Sequence, residues 1–225
     1  TVLRPSFPPF ITTSTSVRVA RAAPGSASAR VSHAGASSDA APSPPAFRKS
    51  RLFIAVPLSE ASRDAVVALV DRVRGSDPPT SGPRVRWVRM DGLHLTLRFL
   101  GPTPEERVAA VADAVRASAA TIGPFEVRIA GAGWFPPRGR PRVLWLGLPT
   151  GERELGQLAA ALSERLAAAG SPSEERPFRA HLSLARCDGS PAGPATARKL
   201  AEEAAGFETA FMADRLTLFE SHVGG

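Results

Sequence analysis

Two short motifs of the form His-x-(Thr/Ser)-x carry the side chains best suited to chemistry. They are His94-Leu95-Thr96-Leu97 and His181-Leu182-Ser183-Leu184. Histidine titrates near neutral pH, so one imidazole can take a proton from water while another gives a proton to a leaving oxygen. The two hydroxyls can hold non-bridging oxygens of a phosphate between the imidazoles. The motifs therefore favour acid–base displacement at phosphorus.

Each motif lies in a short apolar run of strand character, over about 93–100 and about 178–186. Alternate side chains of a strand point to opposite faces, which predicts a shared face for His94, Thr96 and Arg98. Arg98 would then clamp a phosphate, or it is a solvated strand arginine. A lone strand histidine is usually structural, but two matching motifs favour a catalytic pair over a metal-binding pair.

The same alternation places His181 and Ser183 together on one face of the second motif. Arg186 falls out of phase with His181, which favours an ion pair at least as strongly as a phosphate contact. No metal or other cofactor is expected, because no carboxylate lies at ligand spacing from either motif. The single cysteine, Cys187, excludes an internal disulfide and is interpreted as a bystander.

Other candidates for substrate contact are aromatic or basic. Phe53, Trp134 and Phe135 can stack on a base, although core packing is the better expectation for each. A basic cluster in a predicted loop either meets an RNA backbone or is solvated; its members are Arg138, Arg140 and Arg142.

The order of predicted elements repeats along the chain. A strand, a helix, a motif strand, a second helix and a final strand occur once from residue 51 and again from residue 142. Predicted helices cover about 60–74, 103–120, 151–169 and 194–205. A duplicated unit that pairs with its copy about a pseudo-two-fold axis would bring the two motifs face to face. The expected fold is α+β with two lobes, about 51–140 and 141–225, around a central cleft.

Charge separates the first 50 residues from the rest. They carry six basic and one acidic side chain, so they account for most of the net charge of +7. The remainder is nearly neutral, which excludes a broad nucleic-acid surface and leaves a local anion site. Residues 1–50 are predicted to be a disordered tail rich in Ser, Ala, Pro and Arg. The tail resembles an organelle transit peptide, but a mis-assigned upstream start and a cytoplasmic location are favoured. No apolar run approaches membrane-spanning length.

Residues 51–222 resemble the 2H phosphoesterases, and within them the RNA 2′,3′-cyclic phosphodiesterases formerly called 2′-5′ RNA ligases. The resemblance rests on both His-x-(Thr/Ser)-x motifs and on several flanking segments. These segments are Arg51-Leu52-Phe53-Ile54-Ala55, Val85-Arg86-Trp87-Val88, Arg98-Phe99-Leu100-Gly101, Pro141-Arg142-Val143-Leu144-Trp145-Leu146-Gly147, Arg176-Pro177-Phe178-Arg179-Ala180 and Leu218-Phe219-Glu220-Ser221.

The resemblance implies hydrolysis of a terminal 2′,3′-cyclic phosphate to a 2′-phosphate. It implies that His94 donates the proton to the leaving oxygen, that His181 activates water, and that Thr96 and Ser183 bind the phosphate. RNA ends or small cyclic-phosphate nucleotides would be the substrates of a monomeric, metal-independent enzyme of RNA processing. Two departures from the family pattern stand out: Ala180 replaces a proline, and a final strand beyond Ser221 is expected to be missing, which predicts reduced stability.

Two other functions remain open at this point. The first keeps the site but changes the reaction to 2′-5′ ligation, 2′-5′ phosphodiester hydrolysis or hydrolysis of another cyclic nucleotide. The second is a non-catalytic module that binds RNA ends, against which the intact histidines and hydroxyls of both motifs argue.

Overall fold

A three-stranded and a five-stranded β-sheet are backed by four helices. The structure is a computed structural model that describes residues 49–75, 85–172, 174 and 176–221. Its strands are β1 (Lys49–Pro57), β2 (Val85–Trp87), β3 (His94–Pro104), β4 (Phe125–Phe135), β5 (Val143–Thr150), β6 (Leu182–Cys187), β7 (Glu208–Ala213) and β8 (Thr217–Glu220). Its helices are α1 (Glu60–Arg74), α2 (Glu105–Ala119), α3 (Glu152–Ala168) and α4 (Ala192–Glu203).

The α+β prediction is confirmed, and most predicted elements lie close to their expected places. Ser59 caps α1 by accepting a hydrogen bond from the amide of Ser62. The predicted start of α2 near residue 103 is too early, because the helix begins at Glu105. Pro104 occupies the N-cap of that helix, and the hydroxyl of Thr103 donates to the carbonyl of Gly101 instead. The segment that precedes the predicted loop of the basic cluster is strand, because β4 continues to Phe135.

Strand exchange joins the two halves of the chain. One sheet has the order β3-β1-β8 and the other has the order β2-β6-β5-β4-β7, so each contains strands from both halves. The helices pair in the same way, because α1 packs on α4 and α2 packs on α3. The predicted division at about residue 140 therefore describes the order of elements along the chain and not the composition of the sheets.

The pseudo-two-fold relation is clearest where β4 meets β7. The two strands are antiparallel, with Phe125 opposite Ala213 and Ala130 opposite Glu208. An antiparallel pairing of these two strands is compatible with a two-fold axis that passes between them. The second part of β4 then pairs with β5, and β8 pairs with β1 in the equivalent way.

Each helix buries one apolar stripe against the sheets. The stripe of α3 consists of Leu155, Leu158, Leu162 and Leu166, all fully buried. Full burial of each leucine contributes roughly 1.5–3 kcal/mol. Gly170 follows α3 with a φ of 77°, and its amide donates to the carbonyl of Ala167, which closes the helix end.

The expected missing strand and the expected tail, apart from Lys49 and Ser50, lie outside the described residues. β1 begins at Lys49, two residues earlier than predicted. At the other end, the amide of Ser221 donates to the carbonyl of Arg51. Within the described residues, no helix is both long and apolar enough to cross a membrane. A monomeric state and a cytoplasmic location stay predictions.

Candidate active site

His94 is the first residue of β3, and its ring is fixed on several sides. A 3-10 turn over Met90–Gly92 precedes the strand, and Nδ1 of His94 lies 2.6 Å from the carbonyl oxygen of Gly92. Phe53 on β1 and Phe219 on β8 flank the imidazole at ring-centroid distances of 4.8 and 5.6 Å. The two phenyl rings also stack on each other, 5.0 Å apart. The first imidazole is therefore held by backbone and by aromatic faces.

His181 has a parallel arrangement with different ring geometry. Its Nδ1 lies 2.7 Å from the carbonyl oxygen of Arg179, again two residues earlier in the chain. Phe135 on β4 meets the imidazole edge-on at 5.2 Å and 87°, and Trp145 on β5 lies 6.4 Å away. The prediction of a strand from about residue 178 is wrong here, because β6 begins at Leu182, directly after the histidine.

The two carbonyl contacts determine which ring nitrogen is available for chemistry. A carbonyl oxygen only accepts hydrogen bonds, so Nδ1 of each histidine must carry the proton. Nε2 is then free to accept a proton in the neutral ring and to donate one in the cation. Both histidines are thus prepared for acid–base work at Nε2 without a carboxylate partner.

The environments of the two rings are unequal. His94 is half-buried under its phenyl neighbours. Burial lowers the pKa of His94 below its usual value, because the cation loses hydration, while the hydrogen bond to the Gly92 carbonyl acts in the opposite direction. Aromatic faces cover His94, whereas ring edges meet His181. This difference gives the two titratable groups distinct surroundings.

A β-bulge in the first motif strand changes which side chains share the face of His94. Thr96 lies opposite Ala55 on β1, but Arg98 lies opposite the next residue, Ile54, so Leu97 is the extra residue. Ile54 is fully buried in the core, and Arg98 joins it on that side. The predicted shared face of His94, Thr96 and Arg98 is therefore wrong at Arg98.

Arg98 is instead a buried cation that binds the segment after α3 through Pro172 and Glu174. It is 7% exposed, its Nη2 donates to the carbonyl of Pro172, and its Nη1 lies 3.6 Å from Glu174. Arg107 acts nearby by donating to the carbonyl of Ala169 at 2.6 Å. Together they hold the chain between α3 and the second motif, so Arg98 does not point to a phosphate beside His94.

The same bulge recurs in the second motif strand. Ser183 lies opposite Trp145 on β5, but Ala185 lies opposite Leu144, so Leu184 is the extra residue. Leu144 and Ala185 are both fully buried. The next pair, Val143 and Arg186, therefore returns to the face of Trp145 and Ser183. The prediction that Arg186 is out of phase with His181 is wrong for this reason.

The bulges bring two further side chains, Phe99 and Arg186, to the faces that carry the histidines. Strict alternation had placed both on the opposite faces. Phe99 faces Phe53, the neighbour of His94, and is 61% exposed. Arg186 is exposed on the face of Ser183. The sequence indicates a bulge only in the second motif, where the consecutive apolar residues Leu184 and Ala185 break the alternation.

The remaining sequence candidates have mainly structural surroundings. Phe53 is packed between His94 and Phe219, and Trp134 packs against the core. Phe135 lies in β4 and supports His181. In the basic cluster, two members donate to carbonyls of the loop after β6: Arg140 to Gly189 and Arg142 to Asp188. Arg138 is exposed.

Close packing of backbone and indole supports the second histidine. The ring of Trp145 covers Gly133 on β4 so closely that any side chain at Gly133 would overlap it. Trp145 in turn packs on Phe135 at 5.2 Å, and both rings lie next to His181. In the described part of the chain, no three His, Cys, Asp or Glu side chains converge as a metal site would require.

The two motifs lie in different sheets, but β3 and β6 contact each other. A model of the 2′-5′ RNA ligase superfamily matches residues 60–225, well over half of the sequence. The chain belongs to the 2′-5′ RNA ligase superfamily. This result and the fold agree with the resemblance to 2H phosphoesterases.

Curated relatives in the superfamily are named RNA 2′,3′-cyclic phosphodiesterases. The protein of Archaeoglobus fulgidus is 37% identical over 136 residues, which are 60% of this chain and 72% of the relative. The protein of Methanothermobacter thermautotrophicus is 34% identical over 68% of this chain and 78% of its own length. The protein of Geobacillus stearothermophilus is 35% identical over 62% of this chain, but the match spans only 43% of that relative.

Solved structures of superfamily members have the same fold. The E. coli protein LigT in complex with 3′-AMP is 29% identical, with a TM-score of 0.58 over 79% of this chain and 91% of LigT. A protein of Thermus thermophilus is 27% identical, with a TM-score of 0.59 over 78% of this chain and 90% of that protein.

Proposed function

We propose that this protein is an RNA 2′,3′-cyclic phosphodiesterase that opens a terminal cyclic phosphate to a 2′-phosphomonoester. The observation that carries the proposal is the matched pair of histidines, each with Nδ1 held by the carbonyl two residues earlier. Names of superfamily relatives agree with this activity. The contact between β3 and β6 supports a single cleft shared by both Nε2 atoms.

The reaction needs one base and one acid on opposite sides of phosphorus. Nε2 of neutral His181 removes a proton from water as the water oxygen forms a bond to phosphorus. The bond from phosphorus to the 3′ oxygen breaks, and protonated Nε2 of His94 gives its proton to that oxygen. The products are a 2′-phosphate and a free 3′-hydroxyl. Solvent then restores the starting protonation of both rings.

The substrate contacts follow from the faces that the bulges create. Thr96 and Ser183 donate hydrogen bonds to the non-bridging oxygens of the phosphate, and Arg186 adds a charge-assisted contact. Phe99 offers an exposed ring beside Phe53 on which the terminal base stacks. These contacts place the reacting phosphate between the two motifs.

Hydrolysis of a nucleoside 2′,3′-cyclic phosphate in EDTA tests the proposal. We expect turnover with the 2′-phosphate as product, and a loss of at least about 10²-fold in kcat for His94→Ala and for His181→Ala. Activity that survives both substitutions would refute the two-histidine mechanism. Formation of 2′-5′ linkages as the main reaction would favour ligation instead.

A substrate with sulfur in place of the bridging 3′ oxygen separates the acid from the base. A thiolate leaves without protonation, so His94→Ala should regain most of its lost rate on this substrate. His181→Ala should regain little of its lost rate, because a better leaving group does not replace the base that activates water. Rescue of His181→Ala in place of His94→Ala would reverse the two roles.

A further inference from the structure

A row of side chains crosses the five-stranded sheet one step beyond Ser183 and Trp145. The ladder pairs place Arg86 on β2 opposite Arg186 on β6, Arg186 opposite Val143 on β5, and Val143 opposite Phe135 on β4. Directly opposite residues point to the same face of a sheet. Since Phe135 contacts His181, the whole row lies on the His181 face.

Arg86 and Arg186 are therefore neighbours on the face of the second motif. Both side chains are exposed. Like charges directly opposite each other destabilise a sheet. Among the described residues, none of the ion pairs includes Arg86 or Arg186. By contrast, nearby Arg89 is neutralised by Asp91 at 2.8 Å. An anion between the two guanidinium groups would remove the repulsion.

The position of the pair indicates which anion fits. Arg186 lies on the same strand and the same face as Ser183, so it faces the reacting phosphate, and Arg86 lies one strand farther out. Adjacent strands are about 4.8 Å apart, so a phosphodiester next to the reacting group is within reach of Arg86. A mononucleotide has no phosphate at that position, whereas an RNA strand does.

The geometry points to Arg86 as the residue that binds the internucleotide phosphate immediately upstream of the terminal cyclic phosphate. This assignment rests on the proposed function and adds to it a basis for preferring RNA ends over mononucleotides. Arg86 has no contact with the reacting atoms, so it is a substrate-binding residue and not a catalytic one.

Three substrates test the assignment with Arg86→Gln. They are a nucleoside 2′,3′-cyclic phosphate, a trinucleotide with the same cyclic end, and that trinucleotide with a neutral methylphosphonate at the last internal linkage. We expect kcat/KM to fall about tenfold on the natural trinucleotide and to stay unchanged on the other two. The salt dependence of trinucleotide affinity should lose about one unit of slope. Arg116→Gln removes the same charge from α2 and is the matched control.

Several results would overturn the assignment. An equal loss on the mononucleotide, or equal effects of Arg86→Gln with and without the charged linkage, would show that Arg86 does not bind the upstream phosphate. A lower melting temperature for Arg86→Gln would show a structural role, since relief of repulsion predicts an unchanged or higher value. Turnover of the mononucleotide by the unaltered protein tests the proposed function separately. If it fails, binding of a labelled trinucleotide 2′-phosphate, compared with its methylphosphonate form, still decides the role of Arg86.

Discussion

At the scale of single residues, the two histidines differ in their neighbours more than in their motifs. His94 is covered by Phe53 and Phe219, while Phe135 and Trp145 present ring edges to His181. The sequence predicted the pairing of imidazole with hydroxyl in both motifs. It did not predict the aromatic supports, because those rings come from strands far away in the chain.

The covered position of His94 leads to a pH-dependent stability. Its native pKa lies below its usual value, so between the native and unfolded pKa values the unfolded chain binds more protons. The stabilisation is present above about pH 6.5 and is lost as the pH falls through the native pKa. The melting temperature of the unaltered protein should therefore drop more between about pH 8 and pH 5 than that of His94→Gln.

Calorimetry of both proteins at the two pH values measures this difference. The two proteins differ only at residue 94, so the difference between their pH dependences is assigned to His94. Parallel pH dependences would show that burial of His94 has no net effect on proton binding. His94 must be protonated to act as the acid, so the rate falls as the pH rises through the pKa of His94. Because that pKa is lowered, this alkaline decline should begin at a lower pH than for an ordinary histidine.

At the scale of elements, the bulges determine which side chains reach the cleft. Strict alternation along residues 94–99 assigned Arg98 to the histidine face and Phe99 to the core face. A single extra residue, Leu97, reverses both assignments. The amphipathic helices were predictable because buried apolar residues recur at helical spacing. A bulge, by contrast, depends on pairing with a partner strand that sequence alone does not supply.

Packing of β4 against β5 provides a test at this scale. Gly133→Ala places a methyl group inside the volume of the Trp145 ring, which must move and carry Phe135 and His181 with it. We expect a loss of about 1–3 kcal/mol in stability from overpacking, together with reduced kcat. Urea denaturation and steady-state kinetics measure the two effects.

Gly156→Ala is the matched control for this substitution. Gly156 lies within α3, and a methyl group there meets no atom within 4 Å. Stability should rise by about 0.5–1 kcal/mol because alanine favours the helix, and activity should not change. If Gly133→Ala behaved in the same way, the close contact with Trp145 would not support the site.

At the scale of the whole molecule, each sheet contains strands from both halves of the chain. The repeat of element order predicted the pseudo-two-fold relation, and the equivalent pairings of β4 with β5 and of β8 with β1 fit it. The sequence order placed β4 with the first lobe and β8 with the second. Each strand instead pairs with the first strand of the other half, which no local pattern in the sequence encodes.

Cooperative unfolding of the two sheets can be measured with the natural tryptophans. All three, Trp87, Trp134 and Trp145, lie in the five-stranded sheet. Leu218→Ala removes a buried side chain from the other sheet. It should lower the free energy of unfolding by about 2–5 kcal/mol and shift the urea midpoint of tryptophan fluorescence as much as that of far-ultraviolet circular dichroism. Two separate transitions would show that the sheets unfold independently.

The exchanged strands also determine how the gene for such a protein can be divided. Phe135, which supports His181, is encoded in the first half, and Phe219, which supports His94, is encoded in the second. A cut in the turn between β4 and β5 therefore gives two fragments, each with one histidine and one of the two aromatic rings that support the other histidine. Neither fragment alone contains a complete half-site, but two such fragments carry all the parts that reassembly requires.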